Sequence, residues 1–156
     1  MSHHFVETAF VPLHIAVLTV SDSRGEAQDS SGQYLKEAAE AAGHQVLAKE
    51  IVRDDVYQLR AVLSRWIADP AVNVILSTGG TGITGRDSTP EALLPLLDKV
   101  IEGFGELFRQ VSFKDIGTST VQSRAIAGLA NGTFVFCLPG STSACRTAWE
   151  EILRPQ

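Results

Sequence analysis

Four apolar runs of strand length recur along the chain: His14–Val20, residues 44–52, residues 72–76 and Thr133–Leu138. The first, HIAVLTV, is almost continuously apolar, as expected of a strand covered on both faces. Between the runs the apolar period lengthens to that of a helix, about 3.6 residues. One helix is expected from Ser30 or Ser31, with Leu35, Ala38, Ala39 and Ala42 on its apolar stripe and Gly43 at its end. Its alanines would let it lie close to a sheet. A second runs over Val56–Ala68, with Val56, Leu59, Leu63, Trp66 and Ile67 facing the core, and Asp69-Pro70 terminates it. Thr89-Pro90-Glu91 supplies a capping hydroxyl, a proline at the first helical position and an acid in the first turn. That short helix is expected over 90–97, with Pro95 inside it. A last helix follows Pro139-Gly140-Ser141 and puts Ala144, Cys145, Ala148, Trp149, Ile152 and Leu153 on one face. Residues 99–132 are less regular. Gly103 to Phe108 opens a helix-like piece, while 119–130 fits helix or loop equally. Residues 1–12 read as an N-terminal arm, and 13–156 as a single domain without repeats or linkers.

Strands alternating with helices predict a three-layer α/β/α domain with a mainly parallel sheet. Ligands of such sheets sit beyond the carboxyl ends of the strands. Applied to the expected strands, that rule gathers Thr19, Ser21, Asp22, Ser23 and Arg24 after the first and Asp54-Asp55 after the second. It adds the glycine-rich stretch from Ser77 to Glu91 after the third and Pro139-Gly140-Ser141 after the fourth. Hydroxyls, carboxylates and free amides converge on one rim, and the start of the last helix offers a further anion site through its dipole.

The glycine-rich stretch, STGGTGITGRDSTPE, carries the most chemistry. Glycines let backbone N–H groups approach a phosphate, and Asp87 can offer carboxylate oxygens to a hard cation. Gly80, Gly82 and Gly85 also spell the dinucleotide fingerprint, but that motif should follow the first strand and open its helix within itself. The P-loop spacing is present too, yet Arg86-Asp87 stands where Lys-Ser/Thr is required. Each acid has a plain structural alternative: Asp87 as a cap for the next helix, Asp54 as a turn residue, and Asp22 and Asp29 as turn and helix-start residues.

A net charge of −5 argues against a nucleic-acid binder, though local donors in a cleft can still hold a small anion. Arg24, Arg86 and Arg124 beside glycines or serines, with Arg146 near the start of the last helix, are the cations to follow. Hydrophobic content of 44% and charged content of 20% suit an ordinary globular chain of 156 residues. No apolar run approaches the roughly 18–20 residues that span a bilayer. Met1 to Phe5 lacks the regions of a secretory signal, which leaves a cytoplasmic location as the expectation. Cys137 and Cys145 have neither metal-binding nor redox spacing, and Cys137 is expected in the core. His3 and His4 carry no evident role.

The ordered motifs resemble those of the MoaB/MogA family of molybdenum cofactor biosynthesis proteins and the related G domain of gephyrin, from about Ile15 to Pro155. The markers are Thr19-Val20-Ser21-Asp22, Asp29-x-Ser31-Gly32, Thr78-Gly79-Gly80-Thr81-Gly82 and Arg86-Asp87-x-Thr89-Pro90-Glu91-Ala92. Gly103-Phe104-Gly105-Glu106, Ser123-Arg124 and Leu138-Pro139-Gly140-Ser141 follow. Residues 144–149 are most similar to the MoaB branch. The resemblance implies molybdopterin binding and transfer of AMP from ATP, with Mg²⁺, to the pterin's terminal phosphate. It also implies a homotrimer or homohexamer that works with other proteins of the pathway, without nucleic acid or membrane. By motif position Asp87 and Asp54 correspond to family carboxylates needed for activity. Both are taken as metal-holding and catalytic, Asp87 on the metal or its water and Asp54 on the metal or the phosphates. Gly79, Gly80, Thr81 and Gly82 would cradle nucleotide phosphate. Thr19, Ser21, Pro139, Gly140 and Ser141 would hold the pterin and its phosphate, with Asp22, Thr89, Ser123 and Arg124 completing the substrate-binding set. The resemblance leaves a non-catalytic pterin-binding or scaffold protein open, since some MoaB-branch members are thought to lack the transfer activity. An unrelated nucleotide hydrolase or amidase on the same fold is the other alternative.

Overall fold

Strand β1 (His14–Val20) buries six of its seven residues and lies second from one edge of a six-stranded sheet. The computed structural model describes residues 8–156. The sheet order is β2-β1-β3-β6-β5-β4, with β2 (Gln45–Val52), β3 (Val74–Thr78) and β6 (Thr133–Leu138) joining β1 in parallel. Strands β5 (Ile126–Ala130) and β4 (Lys99–Val100) continue the sheet antiparallel. Side chains alternate across β1: Ile15 and Val17 face one layer, Ala16, Leu18 and Val20 the other.

The first layer holds α1 (Ser30–Ala41), α4 (Glu102–Ile116) and α5 (Thr142–Ala148), the last extended by a π turn, Trp149–Leu153. Leu35, Ala39, Phe104, Phe108, Cys145, Ala148, Trp149 and Ile152 pack there. The second layer holds α2 (Val56–Ala68) and α3 (Thr89–Leu93), through Leu59, Leu63, Trp66, Ala92 and Leu93. Cys137 is fully buried in the same cluster, with Ile75 and Val135. The architecture is the three-layer α/β/α sheet expected from the pattern.

Register brings the strand ends level. Val20 pairs with Val52, Thr19 with Thr78, and Thr78 with Leu138. The four loops that follow these strands therefore leave from one rim.

Several boundaries differ from expectation for identifiable reasons. The third strand is displaced to Val74–Thr78, because Asn73 is occupied in fixing β1: its side-chain oxygen accepts from the His14 amide at 2.8 Å. The helix expected over 90–97 stops at Leu93 and continues as a 3₁₀ turn, Leu94–Leu96, since Pro95 has no amide to sustain it. Residues 99–132 contain two strands the pattern did not resolve. β4 is only two exposed residues, and β5 (IAGLA) carries Gly128, where a Cβ would come within 2.3 Å of the Leu97 side chain. Helix α4 starts without a side-chain cap, so its N-terminus leaves no sequence signature. Residues 119–122 are 3₁₀ rather than α-helix. Of the arm expected at 1–12, residues 1–7, including His3 and His4, lie outside the described residues. Phe10 packs its ring 5.2 Å from His44.

Candidate functional site

A cavity of about 540 Å³ opens where the level strand ends meet. The loop after β3 forms one side, through Gly79, Gly80, Thr81, Gly82 and Asp87; the loop after β1 adds Ser21, Ser23 and Arg24. Pro139, Gly140 and Ser141, with the first turns of α5, continue the wall. Phe108, Ser112, Asp115 and Ile116 of α4, then Gln122 and Ser123, close the opposite side.

The glycine loop is pinned from behind. The carbonyl of Gly79 accepts from the Thr89 hydroxyl at 2.9 Å, and that of Gly80 from the Thr89 amide at 3.0 Å. Arg124 holds the next two: its amide donates to Thr81 O at 3.0 Å and its Nε to Gly82 O at 2.7 Å. Its remaining guanidinium nitrogens donate to the Asp87 carbonyl at 2.9 Å and to the Glu91 carboxylate. Four consecutive carbonyls are thus occupied, while the amides of Gly80 and Thr81 find no acceptor among the described residues. The fold itself thus holds the loop with two adjacent amides free, the geometry of an anion-binding concavity. Gly79 and Gly80 adopt φ of +102° and +71°, the left-handed region that glycine enters without penalty.

Asp87 lies on the cavity wall, its Oδ2 accepting from the Thr84 amide at 2.9 Å and hydroxyl at 2.7 Å. The Thr84 hydroxyl chiefly lowers its pKa, helped by the Thr84 and Gly82 amides and the Arg124 charge, against a smaller opposing effect of burial. Asp54 behaves oppositely. Burial raises its pKa, the charges of Asp87 and Asp22 add to the rise, and hydrogen bonds from Ser88 oppose it. Its Oδ1 accepts from the Ser88 amide at 3.1 Å and from the Ser88 hydroxyl. Asp54 sits against Gly80, 8% exposed, and does not line the cavity. No cluster of three or more His, Cys, Asp or Glu side chains suited to a metal occurs among the described residues.

Of the residues expected at the site, Ser21, Gly79, Gly80, Thr81, Gly82, Asp87, Ser123, Pro139, Gly140 and Ser141 line the cavity. Thr19, Asp22, Asp54, Thr89 and Arg124 stand outside it as supports. The Thr19 hydroxyl donates to Asp29 Oδ2 at 2.7 Å; Asp29 also accepts from the Gly32 amide at 3.0 Å, capping α1, and pairs with Lys49 at 2.9 Å. Asp22 takes both arms of the Arg86 guanidinium, at 3.0 and 2.8 Å, and the Asp54 amide at 3.2 Å, so it staples three strand-end loops together. Ser21 shapes its own turn by accepting from the Arg24 amide at 3.0 Å, and Arg24 reaches across to Gly140 O at 3.3 Å. Ser141 caps α5 by accepting from the Ala144 amide at 3.0 Å. The α4 wall was not anticipated. Its available signal is the i, i+4, i+7 spacing of Phe108, Ser112 and Asp115, a stripe that turns from apolar to polar along one helix face.

The chain matches a family described as "Probable molybdopterin binding domain" over residues 16–156. It is 59% identical over 151 residues to molybdenum cofactor biosynthesis protein B of Escherichia coli, covering 97% of this chain and 89% of that one. A crystal structure of a molybdenum cofactor biosynthesis protein B superposes with a TM-score of 0.91 at 44% identity, over 95% of this chain and 92% of the other. The tungsten cofactor synthesizing protein MoaB of Pyrococcus furiosus follows with 0.84 at 38% identity, over 93% and 92%. With the strand-end cavity and its pinned glycine loop, these matches establish that the chain belongs to the family of molybdenum cofactor biosynthesis proteins that carry a molybdopterin-binding domain.

Proposed function

We propose that this cavity binds molybdopterin and transfers AMP from ATP to its terminal phosphate, releasing pyrophosphate. One observation carries the reading: two unclaimed amides, Gly80 and Thr81, lie in a loop that also brings to the cavity a carboxylate, Asp87, whose protonation is disfavoured. In the reaction an oxygen of the pterin phosphate forms the new bond to the α-phosphorus of ATP, and the bond from that phosphorus to the β-phosphate oxygen breaks. Both reactants are anions, so catalysis rests on positioning and charge neutralisation. The Gly80 and Thr81 amides, expected from the motif to cradle nucleotide phosphate, would instead hold the pterin's terminal phosphate, and Arg24 would add positive charge on the side of Gly140. The donor set suits a hard cation that keeps most of its waters, because the glycine-loop side brings one carboxylate, Asp87, to the cavity, while Asp115 lies on the α4 side. Asp87 would hold it, and Mg²⁺ bound there would supply Lewis-acid neutralisation of phosphate charge. Asp54 would act from behind, fixing Ser88 and the loop.

A second reading, pterin binding without turnover, draws support from the withdrawal of Asp54 from the cavity. Incubation with Mg-ATP and molybdopterin, followed by mass analysis for the adenylylated pterin, separates the two. The first reading expects product from the wild type and none from Asp87→Asn, with pterin binding kept. Binding without product in the wild type selects the second, and no binding removes both. A homotrimer or homohexamer remains part of the proposal. The exposed Leu107, Phe113 and Val121 on α4 and the turn after it give an apolar surface for subunit contact.

A further inference from the structure

The two sides of the cavity differ in electrostatic sense. The glycine loop offers amides without acceptors, whereas the α4 side presents the negative end of a fifteen-residue helix. Asp115 stands in the last turn of that helix and lines the cavity. A carboxylate there opposes the helix dipole, and Lys114 beside it is the residue that position favours. Asp115 is exposed at the cavity and takes no part in the ion pairs found among the described residues, so both of its carboxylate oxygens are free to accept. On the same side the Ser123 hydroxyl is buried at the cavity wall without a hydrogen-bond partner. Phe108 and Ile116 provide apolar surface next to these groups.

A carboxylate with two free oxygens pairs best with two adjacent N–H donors. The 2-amino-4-oxo edge of a pterin offers that pair, at the exocyclic N2 and ring N3. Adenine does not, because each ring nitrogen beside its amino group is an acceptor. We propose that Asp115 is the residue that selects the pterin ring, accepting from N2–H and N3–H while the phosphate end of the ligand lies against the Gly80 and Thr81 amides. The proposal rests on molybdopterin binding in this cavity and fixes the direction in which the ligand lies.

The test measures displacement of molybdopterin by two probes, 6-hydroxymethylpterin phosphate and the matching lumazine, in which oxygen replaces the 2-amino group. Wild type should prefer the pterin by about 10–100-fold, the span of a lost charge-assisted pair. Asp115→Asn should reduce the preference to within about 3-fold, because its amide presents one donor and one acceptor. Thermal unfolding of the variant should match or exceed that of the wild type, since the helix end loses a repelling charge. An unchanged preference in Asp115→Asn, or no displacement by the pterin probe, overturns the assignment while leaving molybdopterin binding intact. Failure of molybdopterin itself to bind the wild type overturns both.

Discussion

Replacing Gly80 by alanine is the sharpest local perturbation available to the loop. An added Cβ would lie 2.2 Å from the Thr89 hydroxyl oxygen and 2.9 Å from Asp54 Oδ2. Both are far inside van der Waals contact, so Thr89 or the loop must move. Holding an alanine in left-handed backbone, φ +71° here, costs about 1–2 kcal/mol. Losing the hydrogen bond from Thr89 to the Gly79 carbonyl costs about 1 kcal/mol more. Together with the displacement, a loss of about 2–4 kcal/mol is expected, or about 5–15 °C in Tm for a domain of this size. Because the strain falls on the loop that carries the two free amides, pterin binding should drop as well. Gly85→Ala is the matched control. No atom lies within 4 Å of its added Cβ and its φ is not positive, so its stability should stay within about 0.5 kcal/mol of wild type. Thermal unfolding and pterin titration of both variants check the reasoning. If Gly80→Ala unfolds and binds like Gly85→Ala, the pinned loop is not the structural element described above.

Two further expectations concern the supports of the rim. Lys49 and Asp29 form an ion pair with side chains only 10% and 0% exposed, so Lys49→Met, which strands the carboxylate, should cost about 3–5 kcal/mol at pH 7. Burial would raise the Asp29 pKa, but Lys49, the Thr19 hydroxyl and the Gly32 amide together hold it below its ordinary value. Its contribution is therefore complete above the ordinary carboxylate range and fades as pH falls through the lowered value. Denaturant titrations should show the gap between wild type and Lys49→Met closing below about pH 4, and a gap constant down to pH 2 would refute the pairing. Burial pushes the Cys137 thiol to about 12 and Cys145 to about 11, so a disulfide reagent at pH 8 should label neither in the native protein and both after denaturation. Rapid native labelling would contradict their burial.

Where periodicity is strong, the sequence was a sufficient guide. Val56–Ala68 repeats its apolar residues at helical spacing and ends in Asp69-Pro70, and the helix occupies that span. The HIAVLTV run announced a doubly covered strand for the same reason. Residues 99–132 were opaque because their structure depends on contacts rather than local pattern. β5 is built of small residues, and Gly128 is there to admit the Leu97 side chain. One signal did exist: Asn131-Gly132, with φ of +50° and +78°, is the two-residue turn that joins β5 to β6.

The site divides along similar lines. Strand ends are predictable, so the loop after β3 and the Pro139-Gly140-Ser141 turn were found. Which side of a loop a residue faces is not. Arg124 and Thr89 both belong to the motifs, yet they grip the glycine loop through its carbonyls from outside the cavity. Thr19 and Asp22 are likewise spent on Asp29 and Arg86. The α4 wall required knowing where a helix of uncertain start would lie.

The most direct measurement is a crystal structure of the chain with molybdopterin bound. The pterin phosphate should sit about 3 Å from the Gly80 and Thr81 amide nitrogens, with the ring toward α4. A phosphate bound elsewhere, leaving those amides without a ligand, would contradict the account at its centre.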